Sequence, residues 1–513
     1  MATGASHPGD PMAKTTEVLI AGAGPTGLVL ALWLTRLGVS VRIVDKAETP
    51  GETSRALAVH ARTLEFYDQL GIAHDVVDHS RKLEAARLWV RGRQRARVVF
   101  GDMGVGISPF PYALVYPQDE HERLLIERLS AAGVEVERPA ELVAAETVGE
   151  GVVARLVLSD GTEERVEARY LAGCDGARSK VREILASEFP GGTYSRVFYV
   201  ADVEATGPVM NAELNLSLDE GDFLAVFPMR GVGRVRLVGD IEHAGEEEVT
   251  FGDIGEDVIQ RLGVRIKAVN WFSTYRVHHR VAGSWRQGPM FLLGDAAHIH
   301  SPVGGQGMNT GIGDAVNLAW KLAAVIKGQA APALLDTYQP ERIAFARRLV
   351  ASTDRAFQVV SRNDATARFI RLTLAPLILP IAFSFAAVRR LMFLTISQTN
   401  VNYRDEGLAE GSAGRVQGGD RLPWVREANN FAGLKRLAWH AQVHGELEDG
   451  LAEACAQAGL RLDRFVWTPG ADDSGFQRGA FHLVRPDGYV SLIAAKGAAG
   501  ALAAYQSRHG LVF

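Results

Sequence analysis

The sequence predicts an α/β protein: a parallel-sheet nucleotide-binding domain of Rossmann-like form, interrupted by a β-rich insertion and followed by a smaller C-terminal α/β unit. Three separated segments carry the prediction, AGAGPTG at 21–27, GCDGARS at 173–179 and GDAAHIHSPVGGQGMN at 294–309. Each follows a short apolar run suited to a buried parallel strand and precedes a helical pattern. The expected division is 14–184 for the first part of the nucleotide domain, 185–285 for the β-rich insertion, 286–405 for the second part with a helical connector, and 411–513 for the C-terminal unit.

The first segment is legible residue by residue. Val18, Leu19 and Ile20 form the strand, and Gly22, Gly24 and Gly27 follow at the spacing of a dinucleotide fingerprint. The first glycine permits a tight turn, the second admits a pyrophosphate to the backbone, and the third lets helix and sheet approach. Pro25 suits a first helical position, and Gly38 ends the helix that Leu28, Leu32 and Leu34–Leu37 make apolar. Val39, Val41 and Ile43 form the next strand, ending at Asp45, 18 residues after Gly27, where a carboxylate can accept hydrogen bonds from ribose hydroxyls. This fingerprint alone does not distinguish NAD from FAD.

In the second segment a strand over Ala168–Gly173 delivers Cys174, Asp175 and Gly176 to its carboxyl end, and Ser179 begins a helix. In the third, Met290–Leu293 is a buried strand capped by Gly294-Asp295; Pro302 and the run Gly304–Asn309 precede a helix to about Lys327. Glycines there leave backbone N–H groups aimed at the helix N-terminus. That arrangement suits the electron-rich pyrimidine edge of a reduced flavin, with Asp295 placed to accept hydroxyl hydrogens of its ribityl chain.

With SRALAVHARTLEFYDQLGI at 54–72, PQDEHERLLIERL at 117–129, YRVHHRVAGSWRQGPMFLLGDAAH at 275–298 and LLDTYQPERI at 334–343, the chain resembles the class A FAD-dependent aromatic hydroxylases. This is the para-hydroxybenzoate and phenol hydroxylase superfamily, and within it the polyketide-tailoring and pentachlorophenol-type enzymes. The resemblance implies that Gly22, Ala23, Gly24, Pro25, Thr26 and Gly27 hold the FAD diphosphate, and that Asp45 and its neighbour Lys46 hold the adenosine end. It places Arg55 and Gln118 on the ribityl and phosphate side, Asp175 in a motif serving FAD and transient NAD(P)H, and Asp295 at the ribityl or pyrophosphate region. Pro302 falls beside the reactive edge of the ring, and Gly305, Gln306, Gly307, Met308 and Asn309 on its pyrimidine side. His121 stands where an apolar residue is expected. No second fingerprint follows another strand, which fits a reductant engaged only transiently.

Between 185 and 285, Leu214, Leu216 and Leu218 alternate with polar residues, and Phe223–Pro228 and Arg234–Gly239 read as further strands. Phe223, Phe227, Met229 and Trp271 are the candidate substrate wall, although core packing serves each of them singly. Tyr275, His278 and Arg236 are conceivable substrate bases, and none is singled out. Residues 372–388 are apolar, but 17 residues interrupted by Pro376 and Pro380 fall short of the ~20 that a spanning helix needs. Burial is the preferred reading there, with a substrate entrance or a homodimer contact left open. Phenol hydroxylase relatives carry a thioredoxin-like domain at the C-terminus, but Cys455 is the sole cysteine in that region, so a structural or dimerisation role is expected.

The rest of the composition excludes more than it selects. A net charge of -5 without a long basic run gives no sign of a nucleic-acid partner. His278, His279, His298 and His300 lack the carboxylates and cysteines of a familiar metal site, so no metal is expected. Cys174 and Cys455 do not make a secreted disulfide framework, and reduced thiols in the cytoplasm are the reading. The polar opening residues lack the apolar core of a signal peptide and are expected to be disordered, with Met12 an alternative start.

The implied function is NAD(P)H- and O2-dependent hydroxylation of a phenolic or polycyclic aromatic, polyketide-like substrate through a flavin hydroperoxide. Baeyer–Villiger oxygenation and antibiotic-inactivating hydroxylation share the same motifs, and a flavin-binding protein without turnover is the alternative of another class.

Overall fold

The computed structural model describes residues 14–51, 56–101, 103–218, 223–241, 249–254, 256–302, 304–361 and 365–513. Arg55 and the first thirteen residues, with Met12 and most of the expected disordered opening, lie outside them.

Val18, Leu19 and Ile20 are fully buried because their strand, Lys14–Ala21, runs through the middle of a parallel sheet. It pairs with Glu163–Gly173 on one side and Val41–Val44 on the other. Met290–Leu292 adds beyond the former and Val136–Glu137 beyond the latter, both parallel. The strands that carry the three glycine segments are therefore adjacent, and their carboxyl ends open on one edge of the sheet. Pro25–Arg36 and Gly307–Ile326 form the helices after the first and third segments and pack on each other. An antiparallel hairpin, Ala140–Val148 with Gly151–Leu158, extends from Glu163–Gly173.

The β-rich layer is a second eight-stranded sheet built on two long antiparallel strands, Gly191–Thr206 and Arg265–Val281. It continues through Arg234–Ile241, Leu224–Pro228 and Leu214–Ser217, then takes in Ala85–Val90 and Arg93–Val99 from the first segment of the chain. The expected alternation at 214–217 is present, but its deeply buried face is the polar one. Asn215 and Ser217 are the buried residues, and Leu214 and Leu216 are half-buried. The Asn215 amide makes this tolerable: its Oδ1 accepts from Trp89 Nε1 at 3.0 Å and its Nδ2 donates to the Val209 carbonyl at 3.1 Å.

The C-terminal unit has strand order Arg461–Phe465, His440–His444, Phe481–Val484, Val490–Ala494. The first pair is parallel and the other two are antiparallel, with helices at Leu451–Gln457, Pro469–Asp473 and Ala498–His509. This order and these directions are compatible with the thioredoxin-like unit expected there. Cys455 and Cys174 are both free and buried. The unit is not loosely appended, because charged side chains enter its seam with the nucleotide domain. Arg421 Nε reaches Glu65 Oε2 at 2.8 Å, Arg62 Nη2 reaches the Asp487 carbonyl at 2.7 Å, and Arg485 Nη1 reaches Glu341 Oε1 at 2.8 Å.

The preferred burial of 372–388 is overturned. Ala375–Ser384 lays Leu379 and Phe383 against Leu88, Ala96 and Val98, but Leu377, Ile378, Ile381 and Phe385 are exposed. Two short helices on one sheet edge cannot bury an apolar surface that runs all round them. Among the described residues no single helix is long and apolar enough to cross a membrane; Ile370–Ser384 and Ala386–Ile396, bent by 102°, meet that test only as a pair.

Candidate active site

The glycines of the first segment divide by what their missing Cβ would meet. A Cβ on Gly22, at φ +102°, would lie 2.3 Å from the Cys174 carbonyl oxygen, and one on Gly27 would lie 2.0 Å from the Gly22 oxygen. Both are required by the protein's own packing, the first because the GCDG turn abuts the first loop. Gly24 differs: nothing lies within 4 Å of its Cβ position. Packing does not explain that glycine, whereas a pyrophosphate lying along the loop would. Thr26 brings in the third segment, since its Oγ1 sits 2.7 Å and 2.3 Å from the Cβ positions of Gly294 and Gly311.

Asp45 ends its strand with Oδ2 accepting from Ala23 N at 2.7 Å and Oδ1 from Ala47 N at 2.9 Å. It therefore organises the loop, and Arg138 Nη1 lies 3.3 Å from Oδ1, while Lys46 is exposed. Asp175 is committed to structure: Oδ1 accepts from Ser179 Oγ at 2.5 Å, and Oδ2 from Lys180 N and Val181 N at 2.6 and 3.1 Å. It caps the helix Lys180–Ile184, and Arg182 on that helix donates to the Ala296 carbonyl at 3.0 Å, tying the second segment to the third. Asp295 is exposed at the rim. Gln118 accepts from Ala56 N at 3.2 Å and so anchors the chain leading from Arg55.

The start of Gly307–Ile326 is held by side chains. Asn309 Oδ1 accepts from His60 N and Thr63 Oγ1, while Nδ2 donates to the Ala58 and Gly305 carbonyls. Gln306 Oε1 accepts from Gln398 Nε2 at 2.7 Å. These two side chains are spent on the protein, so what they can offer a flavin is backbone. Gly304 and Gly305 take φ of +81° and +61°, and His60 Nε2 donates to the Gly304 carbonyl at 2.9 Å. Met308 is half-buried against the core. Pro302 is half-buried in the turn between this helix and the short strand His298–Ile299, which pairs with the β-rich sheet. It thus sits where the two sheets meet.

Sequence reasoning missed Asp314 and Arg342. Asp314 is fully buried about two turns into the helix; Oδ2 accepts from His298 Nε2 at 2.8 Å and Gly294 N at 3.0 Å, and Oδ1 from Arg342 Nε at 2.7 Å. Burial works to raise this carboxyl, but Arg342 and His298 outweigh it and hold it below the usual carboxylate range. Of the histidines once weighed as ligands, His298 is thus a support for the Gly294 turn. His300 donates Nδ1–H to the Ser301 carbonyl at 2.8 Å, and its Nε2, facing the position of a Gly307 Cβ at 3.7 Å, is buried without a partner among the described residues. Burial pulls its pKa down to about 4. His121 is a buried histidine that accepts the Tyr67 hydroxyl at 2.6 Å, and burial lowers it to about 3.

Across the β-rich sheet, Phe227, Arg236, Asp202 and Trp271 are successive register partners and share one face. Arg236 Nη1 donates to the Ala56 carbonyl at 3.3 Å, so this face is turned to the loop at Ala56. Its Nε and Nη2 grip Asp202 at 2.5 and 2.6 Å, which removes Arg236 as a substrate base. Phe223 is half-buried with its N–H on Asp240, and Met229 is buried beyond the strand end. His278 Nδ1 is engaged by Thr193 Oγ1 at 2.7 Å.

An open glycine loop, an acid at the end of the next strand and a glycine-led helix N-terminus, all at one edge of the sheet, fit FAD. Residues 15–353 match the FAD binding domain family. The chain belongs to this family. It is similar to 6-methylpretetramide 4-monooxygenase of Streptomyces rimosus, at 35% identity over 95% of this chain and 92% of that one. It is also similar to pentachlorophenol 4-monooxygenase of Sphingobium chlorophenolicum, at 32% over 79% and 75%. Among solved structures, the anhydrotetracycline hydroxylase OxyS of Streptomyces rimosus superposes with a TM-score of 0.79, at 29% identity, covering 97% of this chain and 100% of that one. The protein is therefore an FAD-dependent monooxygenase of the aromatic and polyketide type, with NAD(P)H as co-substrate. The reading of a flavin carrier without turnover is set aside.

Proposed function

We propose that this monooxygenase hydroxylates a phenolic or polycyclic aromatic, polyketide-like substrate. The substrate would lie between the N-terminus of Gly307–Ile326 and the sheet face bearing Phe227 and Trp271. The observation that carries this reading is the single cross-strand row Phe227, Arg236, Asp202, Trp271, turned toward the loop at Ala56. Two aromatic side chains flanking an ion pair suit a flat ring with polar substituents. The names of the relatives, which act on pretetramide and pentachlorophenol, support the same class.

FAD reduced by NAD(P)H supplies the activation of O2 and the transfer of one oxygen atom. The chain supplies position and electrostatics. Gly22 to Gly27 would hold the diphosphate, Asp45 the adenosine ribose, and Asp295 the ribityl side. Backbone N–H groups from Gly305 to Asn309 would face the pyrimidine edge, where the helix dipole favours negative charge. The Asp314–Arg342–His298 cluster keeps that N-terminus in place. Pro302, at the meeting of the two sheets, would border the reacting edge and help exclude water there. The Asp202–Arg236 pair orients the substrate face and is not itself an acid or base.

The test is consumption of NADPH and NADH by the purified flavoprotein across a panel of phenols and hydroxylated polycyclic aromatics, with products analysed for oxygen from ¹⁸O2. A panel member that accelerates consumption and gains one labelled atom with its ring intact supports hydroxylation. Lactone formation or ring opening would replace it with Baeyer–Villiger chemistry, and oxidation without transfer to any member would remove the substrate assignment.

A further inference from the structure

The helix Ala61–Leu70 carries two polar stripes that meet different neighbours. Arg62, Glu65 and Gln69 share one face by helical spacing, and all three are buried. Each is bonded to the C-terminal unit. Arg62 Nη2 donates to the Asp487 carbonyl at 2.7 Å, Glu65 Oε2 accepts from Arg421 Nε at 2.8 Å, and Gln69 Nε2 donates to the Pro486 and Leu434 carbonyls at 2.9 and 3.2 Å. His60 and Thr63 form the other stripe and meet the turn before Gly307–Ile326. His60 N and Thr63 Oγ1 donate to Asn309 Oδ1 at 2.9 and 2.7 Å, and His60 Nε2 donates to the Gly304 carbonyl at 2.9 Å. The two stripes share only the first turn of the helix, and Gln69 lies about 10 Å along the axis from Arg62.

That first turn does not hold itself. His60 at the N-cap makes no side-chain cap bond, so the N–H groups of the turn depend on distant chain for partners. Arg62 N donates to the Ser397 carbonyl at 3.1 Å, and its side chain ties the same turn to Asp487 and lies 4.9 Å from the centre of the Tyr489 ring. Asn309 in turn donates to the Ala58 and Gly305 carbonyls, both at 2.9 Å. A continuous series of bonds thus runs from Asp487 through Arg62, the helix start and Asn309 to the Gly304–Gly305 turn. We infer that Arg62 is a positioning residue for the flavin, through which the C-terminal unit fixes the backbone that would face the pyrimidine edge. The inference rests on the placement of that edge at Gly305–Asn309 and is independent of the substrate assigned above.

The experiment measures FAD affinity of the flavin-free full chain by flavin fluorescence, the two-electron midpoint potential of the bound flavin, and the melting temperature without flavin. In Arg62→Met, Glu65 keeps Arg421 and Ser108 as partners, so no buried carboxylate is stranded. FAD affinity is expected to fall about fivefold or more. Displaced N–H groups stabilise the negative charge of the reduced ring less well, so the potential should move negative by ~30 mV for each tenfold loss of preference for that form. Gln69→Leu cuts the same seam at the far end of the helix; it should lower the melting temperature while FAD affinity stays within about twofold and the potential is unchanged. Thr63→Val should reproduce the flavin effects of Arg62→Met, and the double variant should add little to either. Unchanged flavin readouts in Arg62→Met, equal changes in Gln69→Leu, or full additivity in the double variant each overturn the inference. Asn309→Ala tells the two ways of failing apart. If it moves neither readout, the flavin edge does not lie at Gly305–Asn309; if it moves them and Arg62→Met does not, the link to the C-terminal unit is what fails.

Discussion

Glu341→Gln is expected to loosen the seam between the nucleotide domain and the C-terminal unit. Glu341 is 1% exposed and accepts from Lys321 Nζ at 2.8 Å, Arg485 Nη1 and Nη2 at 2.8 and 3.0 Å, and Asn317 Nδ2 at 2.6 Å. Arg485 also grips Asp487, which accepts from Trp320 Nε1. Two cations and two anions thus balance in a dry seam, and the substitution leaves one positive charge over. Burial works to raise the Glu341 carboxyl, but Arg485 and Lys321 outweigh it and hold it down to about 2 from 4.5. That difference corresponds to about 3 kcal/mol, and removing one partner of a buried pair costs about 3–5 kcal/mol. At roughly 2.1 cal/mol/K of unfolding entropy per residue, a 513-residue chain melting as a unit would lose about 3 °C. If the C-terminal unit of about 100 residues melts first, the loss exceeds about 10 °C.

Thermal unfolding followed by circular dichroism and by flavin fluorescence separates those cases. The pH dependence adds an independent check. The folded carboxyl binds its proton less readily than the unfolded one, so its contribution is complete above pH 4.5 and is lost as pH falls toward about 2. The wild type minus Glu341→Gln difference should shrink over that window. A variant melting within about 1 °C of wild type, where about 3 °C is the least expected, would refute the reasoning.

Gly24→Ala should leave the melting temperature of flavin-free protein unchanged and weaken FAD binding at least about tenfold, because its Cβ meets no protein atom within 4 Å and would stand where the proposed pyrophosphate approaches the loop. Gly22→Ala should instead destabilise the flavin-free fold by about 1–3 kcal/mol or more, its Cβ meeting the Cys174 carbonyl at positive φ; denaturant midpoints and FAD titration distinguish the two. Asp314→Asn should cost about 3–5 kcal/mol by stranding Arg342 and loosen FAD retention, measured by denaturant unfolding and by flavin release on gel filtration. Burial lowers His440, His444 and His482 to about 4 from 6.5. The folded state then binds fewer protons than the unfolded one, so stability is complete above pH 6.5 and is lost as pH falls toward 4. His482→Phe should flatten that decline in melting temperature against pH.

The sequence by itself determined the elements governed by neighbours along the chain. Gly22, Gly24 and Gly27 with Pro25 fix a turn and a helix start through φ preference and the missing Cβ, and the helix after Gly305 ends at Lys327 as its apolar pattern requires. Ser179 caps its helix for the same local reason. Tertiary structure decided what depends on which segments cross. Asp314 and Arg342 are 28 residues apart, and Glu65 and Arg421 are 356 apart. Nothing in either segment marks its partner, because a buried charge looks like a surface charge until the fold removes its water. The same holds for Asn215, whose polar face was buried because Trp89 and Val209 met its amide. It holds equally for the corner at Phe385, where an apolar pattern that reads as core was left outside because no described element packs over it. Hydrophobicity states what a side chain gains from burial; only the packing of distant elements decides whether it is buried.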